Sequence, residues 1–156
     1  AASPVGAPTE ARWTSEVFET TTHISGMPHF HGTVSSTATR SSLILTLAEL
    51  YEDGTQRSIN FCAQSLNHVE NLGNGDVDVS GKVQEVSLDC FPQDDVIHAG
   101  SRLVLIASGN TVGSPGPGLL PQTTGGIVTI EDATLTLPLD RSIVAEGVQP
   151  YETADE

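Results

Sequence analysis

The side chains best spaced for chemistry are histidines. His29 and His31 stand two apart in an alternating run, so on a strand both rings leave one face and could grip a single ion. His23 would be the third ligand if the preceding hairpin folds it back. The competing expectation is polar residues on the outer face of a sheet, because a metal site needs three or four ligands in fixed geometry. The acids Glu52-Asp53, Asp76/Asp78 and Asp94-Asp95 could take calcium with loop carbonyls, but none shows a spaced multi-ligand pattern, so solvated acidic loops are expected. No metal and no cofactor is expected.

A hydrolase serine would sit in Gly-x-Ser-x-Gly at a strand-to-helix elbow. The nearest string is Gly113-Ser114-Pro115-Gly116. Its spacing is wrong, and Pro115 lacks the amide that an oxyanion donor needs. With 5 His and 15 Ser a Ser-His-Asp group could form by folding, but the sequence supplies no pairing. No catalytic residue is therefore expected. Trp13, Tyr51 and Tyr151 could stack on a sugar; with aromatics at only 4%, they are expected in core or interface.

These residues must be positioned by strands. His29–Ser36 alternates, with Phe30, Gly32, Val34 and Ser36 on one face. Leu43–Leu50 is apolar on nearly both faces and belongs in the centre of a sheet. Asp53-Gly54 marks a hairpin, with Gln56–Leu66 as the return strand burying Ile59, Phe61 and Ala63. Val77 to Leu88 reads as a strand or a pair broken at Ser80-Gly81, and Phe91–Asp95 as a turn. Arg102–Ser108 is a second central strand. Gly109–Gly126 is a long loop, and Ile127–Ile130 with Thr134–Leu139 a last hairpin around Glu131-Asp132. No stretch keeps a 3.6-residue period, so eight or nine short strands imply an all-β sandwich.

Composition narrows the partners. The 156 residues make one domain's worth of chain, and no apolar run approaches the ~20 residues of a membrane span. The net charge of -14 would repel a nucleic-acid backbone or an anionic membrane, so neither is an expected partner. Cys62 and Cys90 are too few for a zinc site by themselves. They are either one disulfide or two buried thiols, and in a secreted chain the Cys62–Cys90 bridge is expected. The opening Ala1-Ala2-Ser3-Pro4 fits a processed secreted chain and equally a domain excised from a longer one.

The order of these pieces resembles a known module. Arg12-Trp13-Thr14-Ser15-Glu16-Val17-Phe18 is similar to the entry strand of the C-terminal domain of X-prolyl dipeptidyl peptidases and cocaine-esterase-like serine hydrolases. Ile24-Ser25-Gly26-Met27-Pro28, Ser35-Ser36-Thr37-Ala38, Leu43–Leu50, Glu52-Asp53-Gly54, Ala99-Gly100-Ser101-Arg102-Leu103 and Leu135-Thr136-Leu137-Pro138-Leu139 resemble its later motifs in order. Two features depart: Ser101 stands where that family has His, and the Pro-rich loop has lost its bulky residues apart from Leu119 and Leu120. The resemblance implies a jelly-roll sandwich like galactose-binding domains, carried beside an α/β-hydrolase domain that holds the Ser-His-Asp machinery. The implied organisation is an extended lead over 1–11, a sandwich over 12–142 and an acidic tail over 143–156. The implied function is a non-catalytic accessory domain of a secreted or extracellular serine peptidase or esterase. It would pack on the α/β-hydrolase catalytic domain or hold identical chains together. Different readings are a carbohydrate- or surface-binding module, or a structural subunit of an extracellular assembly with the lead as donor strand. Val144, Val148 and Tyr151 would anchor a packed tail.

Overall fold

The computed structural model describes residues 10–69, 78–108, 128–139 and 149–151. Among these the chain is nearly all strand, with one short 3-10 turn at Leu66–His68. The strands are β1 (Glu10–Thr14), β2 (Thr22–Gly26), β3 (His29–Ser36), β4 (Ser42–Leu50), β5 (Gln56–Ser65), β6 (Val83–Asp89), β7 (Gln93–Ile97), β8 (Arg102–Ser108), β9 (Val128–Thr136) and β10 (Gln149–Tyr151). One layer is a five-stranded sheet ordered β10-β1-β8-β4-β5. The other is a three-stranded sheet β6-β3-β9, continued past a break by the pair β2-β7. The chain crosses repeatedly between layers, as in a jelly roll, and the fold is an all-β sandwich.

Proline causes the break. β2 and β3 are separated at Pro28, β6 and β7 at Pro92, and β9 ends before Pro138. Each lacks the N–H that a ladder position requires. Single bonds bridge the gap, from the Cys90 amide to the Pro28 carbonyl and from the Ser25 amide to the Pro138 carbonyl, both 2.9 Å. Gly26 sits at φ 126°, and a Cβ there would lie 3.1 Å from Pro138, so the break is packed as well as unpaired.

β4 lies between β8 and β5, and β8 between β1 and β4, so both are central as their apolar runs require. Leu43, Leu45, Leu105 and Ala107 meet Phe30, Val34 and Val86 in the main core. Phe18, Ile24, Leu47, Ile97 and Leu103 form a second cluster towards one end. Asp53-Gly54 makes the β4–β5 turn, with Gly54 at φ 85°.

Three local readings are corrected. Gln93–Asp95 belong to strand β7, paired along β2, and are not a turn. Residues 128–136 form one strand, not a hairpin; the Glu131-Asp132 step is a bulge, with Asp132 at φ 48°, opposite the register shift between His31 and Thr33. Phe61 points outward while Asn60 and Cys62 are buried, because the register slips at Leu47/Ala48 and Ile59 is the extra residue. One inserted residue reverses the inward parity beyond it. Of the run read from Val77 to Leu88, Val83–Asp89 is β6, Gly81 turns at φ 71° and Ser80 makes a single bridge to Ser36, so the break at Ser80-Gly81 is present; Val77, the loop from Gly109 to Gly126 and most of both ends lie outside the described residues. The described part of the tail, β10, pairs with β1.

Gly32 makes room for the β9 bulge: a Cβ there would come within 3.0 Å of Phe30 Cζ and 3.3 Å of the Ala133 backbone. Phe30 is fully buried and cannot yield. Gly32→Ala is therefore expected to cost about 1–3 kcal/mol by overpacking, read as a lower urea midpoint with an unchanged slope.

Candidate functional site

The three histidines are not gathered. His23 on β2 contacts Asp94 on β7, across the proline break from the others. His29 and His31 do share the outer face of β3, but they do not converge on an ion. His29 Nδ1 is 2.6 Å from Asp89 Oδ1, and its Nε2 is 2.9 Å from Ser87 Oγ. Among the described residues no three His, Cys, Asp or Glu are placed to hold a metal. Asp53 accepts from the Thr55 hydroxyl at 2.6 Å and amide at 2.9 Å, which holds its carboxyl below the ordinary range. Asp78 is lowered in the same way by Ser80. Both acids serve their own turns. Trp13 packs against the main core, and the Tyr51 ring lies 6.1 Å from that of His98. Asp76 and Ser114 lie outside the described residues.

The strongest electrostatic feature was not singled out from sequence. Glu49 continues the inward parity of Leu43, Leu45 and Leu47, and its side chain is fully buried. Its Oε1 accepts from the His98 amide at 2.7 Å and lies 2.9 Å from His98 Nδ1. Its Oε2 accepts from Arg57 Nη2 at 2.8 Å. Burial pushes this carboxyl up, but the His98 amide, the Arg57 guanidinium, the His98 ring and the Ser101 hydroxyl together hold it at about 2. Ser101 thus serves Glu49. Arg57 also donates from Nη1 to both oxygens of Asp95, at 2.9 and 3.1 Å, and from Nη2 to the Val96 carbonyl at 3.1 Å. Asp95 first, then Glu49, raises the guanidinium further, and Arg57 lowers Asp95 in turn. This group clamps β4, β5, β7 and the turn before β8. A carboxylate held at about 2 cannot serve as a general acid near neutrality.

One flank presents apolar side chains on a stiff frame. Cys62 of β5 and Cys90, between β6 and β7, are bonded, with Cα atoms 4.6 Å apart, tying the edges of the two layers together. Beside them Asn60 Nδ2 donates to the Phe91 carbonyl at 2.8 Å and also contacts Gln93 Oε1. Asn60 Oδ1 accepts from the amides of Phe91 at 3.1 Å and Phe61 at 2.7 Å. Their backbones are so held while their side chains remain in solvent: Phe91 is 65% exposed and Phe61 37%. Met27, 52% exposed, occupies the neighbouring β2–β3 break. Exposed apolar groups that form a contiguous patch mark an interaction site, whereas singly exposed ones are ordinary.

A family model for the X-Pro dipeptidyl-peptidase C-terminal non-catalytic domain matches residues 5–126. The chain belongs to this family. No curated protein sequence matches it. Solved structures match its fold at low identity. An aminopeptidase from a marine sediment archaeon, Thaumarchaeota archaeon, superposes with a TM-score of 0.71 at 11% identity, over 85% of this chain and 26% of its own. An α-amino acid ester hydrolase gives 0.67 at 12%, over 85% and 26%. A CocE/NonD family hydrolase from Staphylococcus aureus gives 0.60 at 13%, over 83% and 32%. The chain thus spans about a quarter to a third of the structures it matches. Its family is described as non-catalytic.

Proposed function

We propose that this chain is the accessory sandwich, spanning about 12–142 between a lead and an acidic tail, of a secreted serine peptidase or esterase, and that it packs on an α/β-hydrolase domain. The observation that carries this reading is coverage: the chain matches a non-catalytic hydrolase domain yet spans only 26% of two hydrolytic neighbours. The docking surface is assigned to the exposed apolar residues Phe61, Phe91 and Met27, the first two of which have their backbones held by Asn60 beside the disulfide. A rigid anchor loses little side-chain freedom on docking.

The encoded precursor tests both parts. It is expected to carry a Gly-x-Ser-x-Gly hydrolase segment, and a stand-alone gene would overturn the reading. Within that precursor Phe91→Asp is expected to split one cooperative melting transition into two and to speed proteolytic release of this domain at least tenfold. An unchanged single transition would remove the flank from the interface.

A further inference from the structure

The outer face of the three-stranded sheet carries a constellation that neither the fold nor the docking role requires. Ser87 and Asp89 stand two apart on β6, so both side chains leave the same face. His29 on β3 lies directly opposite Asp89, and Ser87 is its diagonal neighbour. The imidazole therefore sits between them, with Nδ1 2.6 Å from Asp89 Oδ1 and Nε2 2.9 Å from Ser87 Oγ. This is the hydrogen-bond order of an activated serine: hydroxyl, base, and a carboxylate that fixes the tautomer. His29 is 41% and Asp89 62% exposed, so the site is open to reagents.

We propose that Ser87 is a base-activated nucleophile that takes up acyl or phosphonyl groups from activated electrophiles. With a fluorophosphonate, Ser87 Oγ forms the O–P bond, the P–F bond breaks, and fluoride leaves with the electron pair. The hydroxyl proton passes to His29 Nε2, and Asp89 holds the Nδ1–H and stabilises the imidazolium. With an activated ester Ser87 Oγ forms the bond to the acyl carbon, the ester's acyl C–O bond breaks with its electron pair on the leaving oxygen, that alkoxide takes the proton back from His29, and an acyl-serine remains. Strand amides lie in the plane of the sheet, whereas the side chains stand out of it, so among the described residues the strands beside Ser87 offer it no oxyanion hole. The site is thus suited to stoichiometric modification and not to turnover, in keeping with a non-catalytic family.

The test is incubation of the 156-residue chain with an alkyl fluorophosphonate, followed by intact mass and peptide mapping. One adduct per folded chain is expected, at Ser87. It should be absent in Ser87→Ala, and it should form about a hundredfold more slowly in His29→Gln, the low end for loss of a general base. Asp89→Asn should slow it as well. His31→Gln is the control: His31 pairs with Ser87 across the strands but makes no bond to it, so the rate should stay unchanged. All four positions are solvent-facing or half-exposed, so the variants should keep the wild-type melting temperature. Absence of an adduct, an adduct spread over other serines or Tyr51, or the same rate in His29→Gln would each overturn the proposal.

Discussion

Glu49→Ala is expected to destabilise the domain by about 3 kcal/mol at neutral pH. Removing one member of a buried ion pair commonly costs 3–5 kcal/mol. The lower end applies because Arg57, 38% exposed, keeps Asp95 as a partner. The amide of His98 would lose its acceptor as well. Arg57→Met should cost a similar amount, since it leaves the buried carboxylate with His98 as its main remaining partner. The charge can be separated from the shape by pH. The folded state holds Glu49 at about 2 against an ordinary 4.5, so its contribution is complete above pH 4.5 and is lost as pH falls towards 2. At 1.36 kcal/mol per unit, that span is worth about 3 kcal/mol. Asp53, Asp78 and Asp95 are lowered too and act in the same direction. The difference between wild type and Glu49→Gln isolates Glu49: urea unfolding should show a gap at pH 7 that closes by pH 2. A gap that stays constant with pH would mean that the carboxylate charge contributes nothing.

The sheets were legible where a residue's neighbours along the chain decide its place. Leu43, Leu45 and Leu47 state their own face, and Asp53-Gly54 states its own turn. What failed to show was whatever depends on the partner strand. The extra residue at Ile59 reverses which side of β5 is buried, yet nothing in Gln56–Ser65 marks it. The bulge in β9 reads as a turn until Gly32 on the neighbouring strand is seen to make space for it. Pro28, Pro92 and Pro138 are far apart in sequence, and only the pairing brings them to a single break. The same limit applied to the site. Ser87-x-Asp89 and His29-x-His31 each alternate visibly, but their meeting is a fact of register. Glu49 did leave a signal: a carboxylate at inward parity in an otherwise apolar strand requires a buried cation or donor. The family resemblance rested on the order of short motifs, which survives when any one of them is weak.

Removing the bridge by Cys62→Ala with Cys90→Ala is expected to lower stability by about 3.5 kcal/mol, the chain-entropy value for a loop of this length. The two residues are 28 apart in sequence, and the crosslink denies the unfolded chain that much freedom. For a domain of this size such a loss moves the melting temperature by about 10 °C. The folded state should persist, because Asn60 still holds the Phe91 amide and carbonyl independently of the sulfurs. The variant should therefore keep the wild-type urea slope if only the unfolded state has been released. A melting temperature within about 3 °C of wild type would show that the layers are tied by packing and Asn60 alone. The size of the effect also bears on where the chain works. Domains are stable by only 5–15 kcal/mol, so a loss near 3.5 is a quarter or more of the total. Both cysteines are buried, at 4% and 7% exposure, so reduction needs an opening of the edge between β5 and β6. In an oxidising compartment that opening is reversible. Under reducing conditions each opening risks losing the crosslink, which is why oxidised and reduced samples should differ most in their rate of proteolysis.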